Sequence, residues 1–311
     1  MADVLVIGSL NADLVVRVAR FPAPGETIQG GDLATLPGGK GANQAVAAAR
    51  QGVSVAMLGR VGNDNFGDLL LDNLKSNHVD TSLVRRDAAA TGTAMIIVDQ
   101  HGQNSIVLSP GANGKVSPAD VEPASLPDVK LVLFQLEIPL ETVLRAAAAA
   151  KKNGVRIMLN PAPARALPEE LIAGSDFLLP NETELNLLTG QPVKDVASAE
   201  GAARALLAKG AQTVIVTLGA NGALLVTKDE AKHIPAFKVQ VVDTTAAGDA
   251  FIGGFASALL RGDELEQAVR YANACGALAT TKFGAQPSLP NKEEVENLMS
   301  LRGGAHSLRS V

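Results

Sequence analysis

The chain has 311 residues, a formal net charge of −5 and 47% hydrophobic residues, enough for one large domain or one with a small appendage. Aromatics make up 3% and Trp is absent, so neither the basic face nor the stacking platform that nucleic-acid binding requires is visible. No apolar run reaches the roughly 18 residues of a membrane span, and the single cysteine, Cys275, excludes an internal disulfide framework and fits a reducing cytoplasm. A small anionic ligand could still be held by local donors. The four histidines, His78, His101, His233 and His306, lack metal-ligand spacing and are expected on the surface.

The first residues are acidic and too short for a signal peptide; they predict a buried strand at Val4–Ile7. Gly8-Ser9-Leu10-Asn11-Ala12-Asp13 follows. Polar residues at the C-terminal end of a parallel strand sit where open α/β sheets bind ligands, so Asn11 and Asp13 are either ligands or members of an Asx turn. Residues 14–18 and 27–36 predict short strands with no helix between them, hence antiparallel structure outside the main sheet. Pro37-Gly38-Gly39-Lys40-Gly41-Ala42-Asn43-Gln44 opens an alanine-rich helix that stops near Gly52. Its glycines permit close approach of the backbone to a ligand. It is neither a Walker A motif, since Gly41 stands where Ser or Thr would follow the Lys, nor the dinucleotide fingerprint, which needs a third glycine.

A strand at 53–58, a helix at 66–76 and a hairpin of 93–98 with 105–108 come next. The second helix-free strand pair is expected to join the first in one small sheet. From Ser117 onward strands at 130–135, 155–159, 176–179 and 213–217 alternate with helices at 140–152, 182–189 and 199–209. That rhythm predicts right-handed crossovers and a parallel sheet covered by helices on both faces. Several strand ends carry polar residues: Gln135-Leu136-Glu137, Asn160-Pro161-Ala162-Pro163, and Pro180-Asn181-Glu182-Thr183-Glu184. Asn181 with Glu184 also reads as a capping box. Thr217-Leu218-Gly219-Ala220-Asn221-Gly222 is a turn between strands whose glycines have a purely conformational explanation.

A β-branched run ending in Val241-Val242 predicts a strand and residues 251–260 a helix. Between them lies Asp243-Thr244-Thr245-Ala246-Ala247-Gly248-Asp249. Small side chains before a helix leave N–H groups exposed where the positive end of the helix dipole collects, a setting that suits a phosphate. Asp243 or Asp249 caps that helix, or Asp249 is a carboxylate that takes a proton from a nucleophile. Helices at 265–282 and 291–301 and a frayed tail at 302–311 complete the chain.

Together these stretches resemble the ribokinase family of carbohydrate kinases, of PfkB type, and its ribokinase branch in particular. The resemblance spans roughly residues 3–300 and rests on six motifs in family order: 8–13, 38–44, 160–164, 181–184, 217–219 and 243–249. It implies a three-layer, mostly parallel α/β domain (1–13, 37–91 and 110–311) with a small β-sheet lid (14–36 and 92–109). It also implies transfer of a phosphoryl group from ATP to the O5 hydroxyl of D-ribose. Asp249 would accept the hydroxyl proton and the N–H groups of Ala246, Ala247 and Gly248 would form an anion hole. Asn11, Asp13, Gly39, Lys40, Asn43 and Glu137 would hold the sugar with Asp249. Asn181 and Glu184 would act near Mg²⁺ and its waters, and Thr217, Gly219, Ala220, Gly222, Gly248 and Asn273 along the nucleotide. A monovalent cation, K⁺, would be held by Asp243, Thr245, Ala279, Lys282, Gly284 and Ser288. The family pattern further implies a homodimer through the lids. Close alternatives are a family member acting on deoxyribose, fructose or a nucleoside; a non-catalytic sugar-binding protein is a more distant one. Much of the wider family has Gly-Ala-Gly-Asp where this chain has Ala246-Ala247-Gly248-Asp249, a form familiar among ribokinases.

Overall fold

Unbroken apolar runs such as Val4–Ile7 and Leu131–Phe134 carry no polar alternation, and both are wholly buried. Strands of this kind need cover on both faces. The computed structural model describes residues 2–121, 126 and 129–303. In chain order its strands are β1 (Val4–Ile7), β2 (Asn11–Arg17), β3 (Ala34–Gly38), β4 (Val55–Gly62), β5 (Val79–Asp87), β6 (Gly92–Val98), β7 (Asn104–Ser109), β8 (Leu131–Phe134), β9 (Arg156–Leu159), β10 (Phe177–Leu178), β11 (Thr213–Thr217), β12 (Ala223–Val226) and β13 (Ala231–Ile234). The helices are α1 (Lys40–Arg50), α2 (Asn65–Ser76), α3 (Leu140–Lys152), α4 (Glu169–Ala173), α5 (Glu182–Thr189), α6 (Val196–Ala208), α7 (Ala247–Arg261), α8 (Leu265–Ala279) and α9 (Lys292–Gly303).

The large sheet has the order β13-β12-β11-β10-β9-β8-β1-β4-β5. Neighbours from β11 through β5 are parallel, and the pairs β11–β12 and β12–β13 are antiparallel. Successive side chains point to opposite faces. Val4, Val6, Met57 and Leu133 join one core with α1, α7 and α8. Leu5, Ile7, Val132 and Phe134 join a second with α3, α5 and α6. Each fully buried Val, Leu or Phe contributes about 1.5–3 kcal/mol, so the sheet is held from both sides, as the alternating pattern predicts. Helix α7 packs closely because Gly253 and Gly254 carry no side chain. A Cβ at Gly253 would lie 2.4 Å from the Cβ of Ala47, and one at Gly254 2.5 Å from the Cys275 sulfur. Cys275 is plain core, and burial pushes its thiol up.

The two helix-free strand pairs do form one sheet, of order β3-β2-β6-β7. β2 and β6 join it in parallel, with Asn11 opposite Gly92 and Asp13 opposite Ala94. Asn11, Asp13 and Gly38 therefore stand on the small sheet itself.

Some expectations differ from the structure. Residues 27–33 form no strand: Gly30 and Gly31 weaken one, and Gly31 N–H donates to the Arg17 carbonyl instead. Val241 and Val242 are 60% and 62% exposed, and the Val242 N–H donates to Thr280 at the end of α8, so the β-branched run finds no sheet to pack on. Helix α7 starts at Ala247, before the expected 251, and α8 ends at Ala279 rather than 282. β4 continues to Gly62 and is flanked by β5, an edge strand of mixed polarity without a clear period. His78, His101 and His233 are exposed as expected. His306 and the tail beyond Gly303 lie outside the described residues. No helix among the described residues is long and apolar enough to cross a membrane.

Candidate active site

The polar residues that close β1, β8, β9, β10 and β11 all fall at one edge of the sheet, the carboxyl edge where α/β proteins place ligands. A cavity of about 220 Å³ opens there, lined by Lys40, Asn160, Asn181, Glu184, Thr217, Thr244, Ala246, Gly248 and Asp249, with Ala162, Leu179 and Ile252 as its apolar wall.

Asp249 lies in the first turn of α7, whose N-cap is Ala246 with no side-chain cap bond. The cap reading of Asp249 therefore falls. Its carboxylate is buried; Oδ2 accepts a hydrogen bond from Asn43 Nδ2 at 2.9 Å and Oδ1 one from Gln44 Nε2 at 3.0 Å. The Oδ1 atom of Asn43 is buried with no partner among the described residues, an acceptor left over for a ligand. Ala246 is left-handed, at φ 59°. A left-handed residue followed by a helical one turns successive N–H groups towards one concavity, the geometry of an anion nest. The Ala247 N–H closes the turn onto the Thr244 carbonyl at 3.2 Å. Those of Ala246 and Gly248 carry no such bond among the described residues.

Helix α1 begins at Lys40 behind Gly39, which is at φ 87° and close against β2: a Cβ there would lie 2.7 Å from Asn11 N. Glu137 holds this helix start. Its Oε2 accepts from Lys40 N–H at 3.1 Å and from the Ser9 hydroxyl at 2.5 Å, a carboxylate at the positive end of the helix dipole. Burial works against the Lys40 ammonium, yet Asp249, Glu137 and Glu184 hold its pKa above the usual lysine value. Burial, followed by the charges of Glu137 and Asp249, pushes Asp13 up to about 7. Asn11 Oδ1 accepts from Asn113 Nδ2 at 2.7 Å, so its own amide N–H groups are the part left to a ligand.

Asn181 and Glu184 do form a capping box, Asn181 N to Glu184 Oε2 at 2.9 Å and Glu184 N to Asn181 Oδ1 at 2.8 Å, and both line the cavity. Burial raises the Glu184 pKa against the pull of the Asn181 N–H and the Lys40 charge. Thr217 joins them through a bridge to Asn181. Gly222 and Asn273 meet elsewhere, at segment 234–236. Asn273 Nδ2 donates to the Ile234 carbonyl at 3.0 Å, and a Cβ on Gly222, at φ 92°, would lie 2.2 Å from the same oxygen. Gly219 and Ala220 form a 3₁₀ turn with Asn221 beside them.

Of the residues expected to hold the cation, Asp243, Thr245 and Gly284 are joined to one another, and Ser288, Ala279 and Lys282 make other bonds. Asp243 Oδ1 accepts from Thr245 N–H at 2.9 Å and Oγ1 at 2.7 Å, and Oδ2 from Gly284 N–H at 2.9 Å. Burial opposes ionisation of Asp243, but these bonds hold it below its ordinary value. Ser288 Oγ donates to the Ala285 carbonyl, Ala279 closes α8, and the exposed Lys282 pairs with Glu294 at 2.6 Å.

Sequence reasoning assigned no role to Gln44, Gln135, Asn160 or Asn113. Gln44, Gln135 and Asn160 lie inside the stretches named above, and an amide on an otherwise alanine-rich helix is the available signal for Gln44. Asn113 is buried and ties Leu10 and Asn11 to the segment after β7.

The sequence profile of the pfkB family carbohydrate kinase matches residues 1–292. A ribokinase from Haemophilus influenzae is 44% identical over 292 residues, 93% of this chain and 95% of that protein. A deoxyribokinase from Salmonella typhi is 42% identical over 303 residues, 96% of this chain and 99% of its own. Among solved structures, Arabidopsis thaliana ribokinase complexed with ribose and ATP matches with a TM-score of 0.89 at 36% identity, over 96% of this chain and 98% of that one.

Proposed function

The chain belongs to the pfkB family of carbohydrate kinases, and from that premise we propose that it transfers the terminal phosphoryl group of ATP to O5 of D-ribose, giving ribose 5-phosphate and ADP. One observation carries the reading: the buried carboxylate of Asp249 stands one residue from the Ala246–Gly248 turn, in a single cavity with Lys40, Asn181 and Glu184.

Phosphoryl transfer passes through a loose transition state, so positioning and charge neutralisation do most of the work. Asp249 takes the proton of the O5 hydroxyl as the oxygen bonds to phosphorus. The N–H groups of Ala246 and Gly248 receive the charge on the transferred oxygens without reorganising, a contribution of about 10²–10³ per donor in comparable sites, while that of Ala247 first has to leave Thr244. Asn11 donates to sugar hydroxyls, Asp13 and the spare Asn43 Oδ1 accept from them, and Gly39 lets its N–H approach; Lys40 and Glu137 complete the pocket. Thr217, Gly219, Ala220, Gly222 and Asn273 serve the nucleotide, the last two by shaping segment 234–236.

Among the described residues no three His, Cys, Asp or Glu side chains cluster to hold a metal. Mg²⁺, which neutralises phosphate charge when bound, would ride on the triphosphate with its waters, and Glu184 and Asn181 would reach that water shell. The oxygen donors of Asp243, Thr245, Ala279, Lys282, Gly284 and Ser288 suit K⁺, which would firm the loop before α7. We further place the enzyme in the cytoplasm. Residues 14–36 and 92–109 act as a lid over the large domain and also as the contact of a homodimer.

The deoxyribokinase relative, as similar as the ribokinases, makes 2-deoxyribose the second reading. Turnover with MgATP against ribose, 2-deoxyribose, fructose and a nucleoside, with and without K⁺, tests both. A site that pairs each hydroxyl favours ribose over 2-deoxyribose by at least about 10²-fold in kcat/KM. Asp249→Asn is expected to cut turnover by about 10³ while ribose still binds. Preference for another sugar overturns the substrate, and near-normal turnover of the variant overturns the base.

A further inference from the structure

Three buried amides left without a role converge behind Asp249. Gln44 is 0% exposed on α1, and its Nε2 donates both to Asp249 Oδ1 at 3.0 Å and to Asn160 Oδ1 at 3.2 Å. Its Oε1 accepts from Gln135 Nε2 at 2.5 Å. Asn160 in turn gives its Nδ2 to the Leu179 carbonyl at 3.1 Å. The direction of this chain is fixed by chemistry. A backbone carbonyl only accepts, so Asn160 must present its NH₂ to Leu179 and its oxygen to Gln44. Gln44 must then present NH₂ to Asn160 and to the carboxylate, and its remaining oxygen requires the NH₂ of Gln135.

We propose that Gln44, held in this orientation by Gln135 and Asn160, is the positioning residue for Asp249. The inference rests on Asp249 being the base. Asn43 holds one carboxylate oxygen and Gln44 the other, so the plane of the carboxylate is set by two adjacent residues of α1. Each oxygen accepts one of these two bonds, and Asp249 lines the cavity. Asn43 also carries an acceptor for the ligand, whereas every polar hydrogen of the Gln44 amide is spent inside the protein. Losing Asn43 therefore affects sugar binding, and losing Gln44 affects the chemical step alone. A carboxylate freed to rotate among Asp13, Glu137 and Lys40 would seldom face the hydroxyl. Misplacement of a reacting group by about 1 Å costs on the order of 10² in rate.

The test compares wild type, Gln44→Met, Gln135→Met and Asp249→Asn by steady-state kinetics with MgATP and ribose, and by equilibrium ribose binding. Methionine keeps the length and volume of glutamine and removes its hydrogen bonds. Gln44→Met is expected to lower kcat about 10–100-fold with ribose KM and affinity within about threefold, and Gln135→Met to lower kcat about 3–10-fold in the same pattern. Unchanged kcat in Gln44→Met, or a rise in KM matching the fall in kcat, overturns the proposal. If Gln44→Met does not fold, Gln135→Met decides by the same split: a fall in kcat alone supports it and an unchanged kcat overturns it. An inactive Asp249→Asn beside a fully active Gln44→Met removes only this inference. An active Asp249→Asn removes the base assignment and this inference with it.

Discussion

Asp13 is a carboxylate that the fold buries beside two others. It is 8% exposed, stands on β2 against the bare Cα of Gly38, and shares its surroundings with Glu137 and Asp249. Its folded pKa of about 7 lies above the ordinary carboxylate value, so between about pH 4 and pH 7 the native state keeps a proton that the unfolded chain has lost. Stability from this group is therefore full at low pH and drains away as pH rises towards 7. Asp13→Asn removes the titration. Its melting temperature at pH 8 is expected to exceed wild type by about 2–4 °C, with a smaller gain at pH 5 and none at about pH 3, and its affinity for the sugar to fall. Thermal melts of both proteins across this range check the sign; parallel curves would show that Asp13 carries no such burden. The sequence marked Asp13 as a ligand candidate because it follows a buried strand. The neighbours that raise its pKa come from positions 137 and 249, and no local pattern announces them.

At the scale of elements, the start of α7 was legible in kind and misplaced in register. A run of small residues between a β-branched segment and a helix advertises exposed N–H groups, but Thr244 to Gly248 contain nothing that marks where helical geometry begins. The structure begins it at Ala247, which puts Asp249 in the first turn and Ala246 in the left-handed region at φ 59°. An L-residue there costs roughly 1–2 kcal/mol that glycine avoids, offset in part by the greater freedom glycine has when unfolded. Ala246→Gly is expected to stabilise the protein by about 0.5–1 kcal/mol in urea denaturation, with kcat changed less than about threefold. Destabilisation would mean that the alanine methyl makes a contact outweighing the strain. The strand ends of the large sheet were read correctly for a simple reason: polar residues closing apolar runs are visible without knowing the fold. The amide chain behind Asp249 was not, because Gln44 reaches Asp249 across 205 positions and Gln135 reaches Gln44 across 91. Such pairs exist only once the crossovers are made.

At the scale of the molecule, the small sheet leaves β7 as an edge with all six residues exposed. Ile106, Val107 and Leu108 are 50%, 59% and 46% exposed there, with Met95 at 50% on the neighbouring strand. Open apolar edges are normally paired, covered or charged. The register divides these side chains between the two faces, Met95 and Val107 on one, Ile106 and Leu108 on the other. Asp13 pairs with Ala94 and Ala94 with Leu108, while Val15 pairs with Ile96 and Ile96 with Ile106. Ile106 and Leu108 thus share the face that carries Asp13. A second copy packed on that surface would cover the edge and hold the lid over both sites, which is why we assign the dimer to it. Sedimentation is expected to give a dimer for wild type at micromolar concentration and a monomer for the double variant Ile106→Lys, Leu108→Lys. Because the same face bears Asn11 and Asp13, the monomer should show a higher KM for the sugar with its KM for ATP little changed. A wild-type monomer at that concentration would refute the interface, and a monomeric variant with unaltered sugar KM would separate the dimer contact from the site.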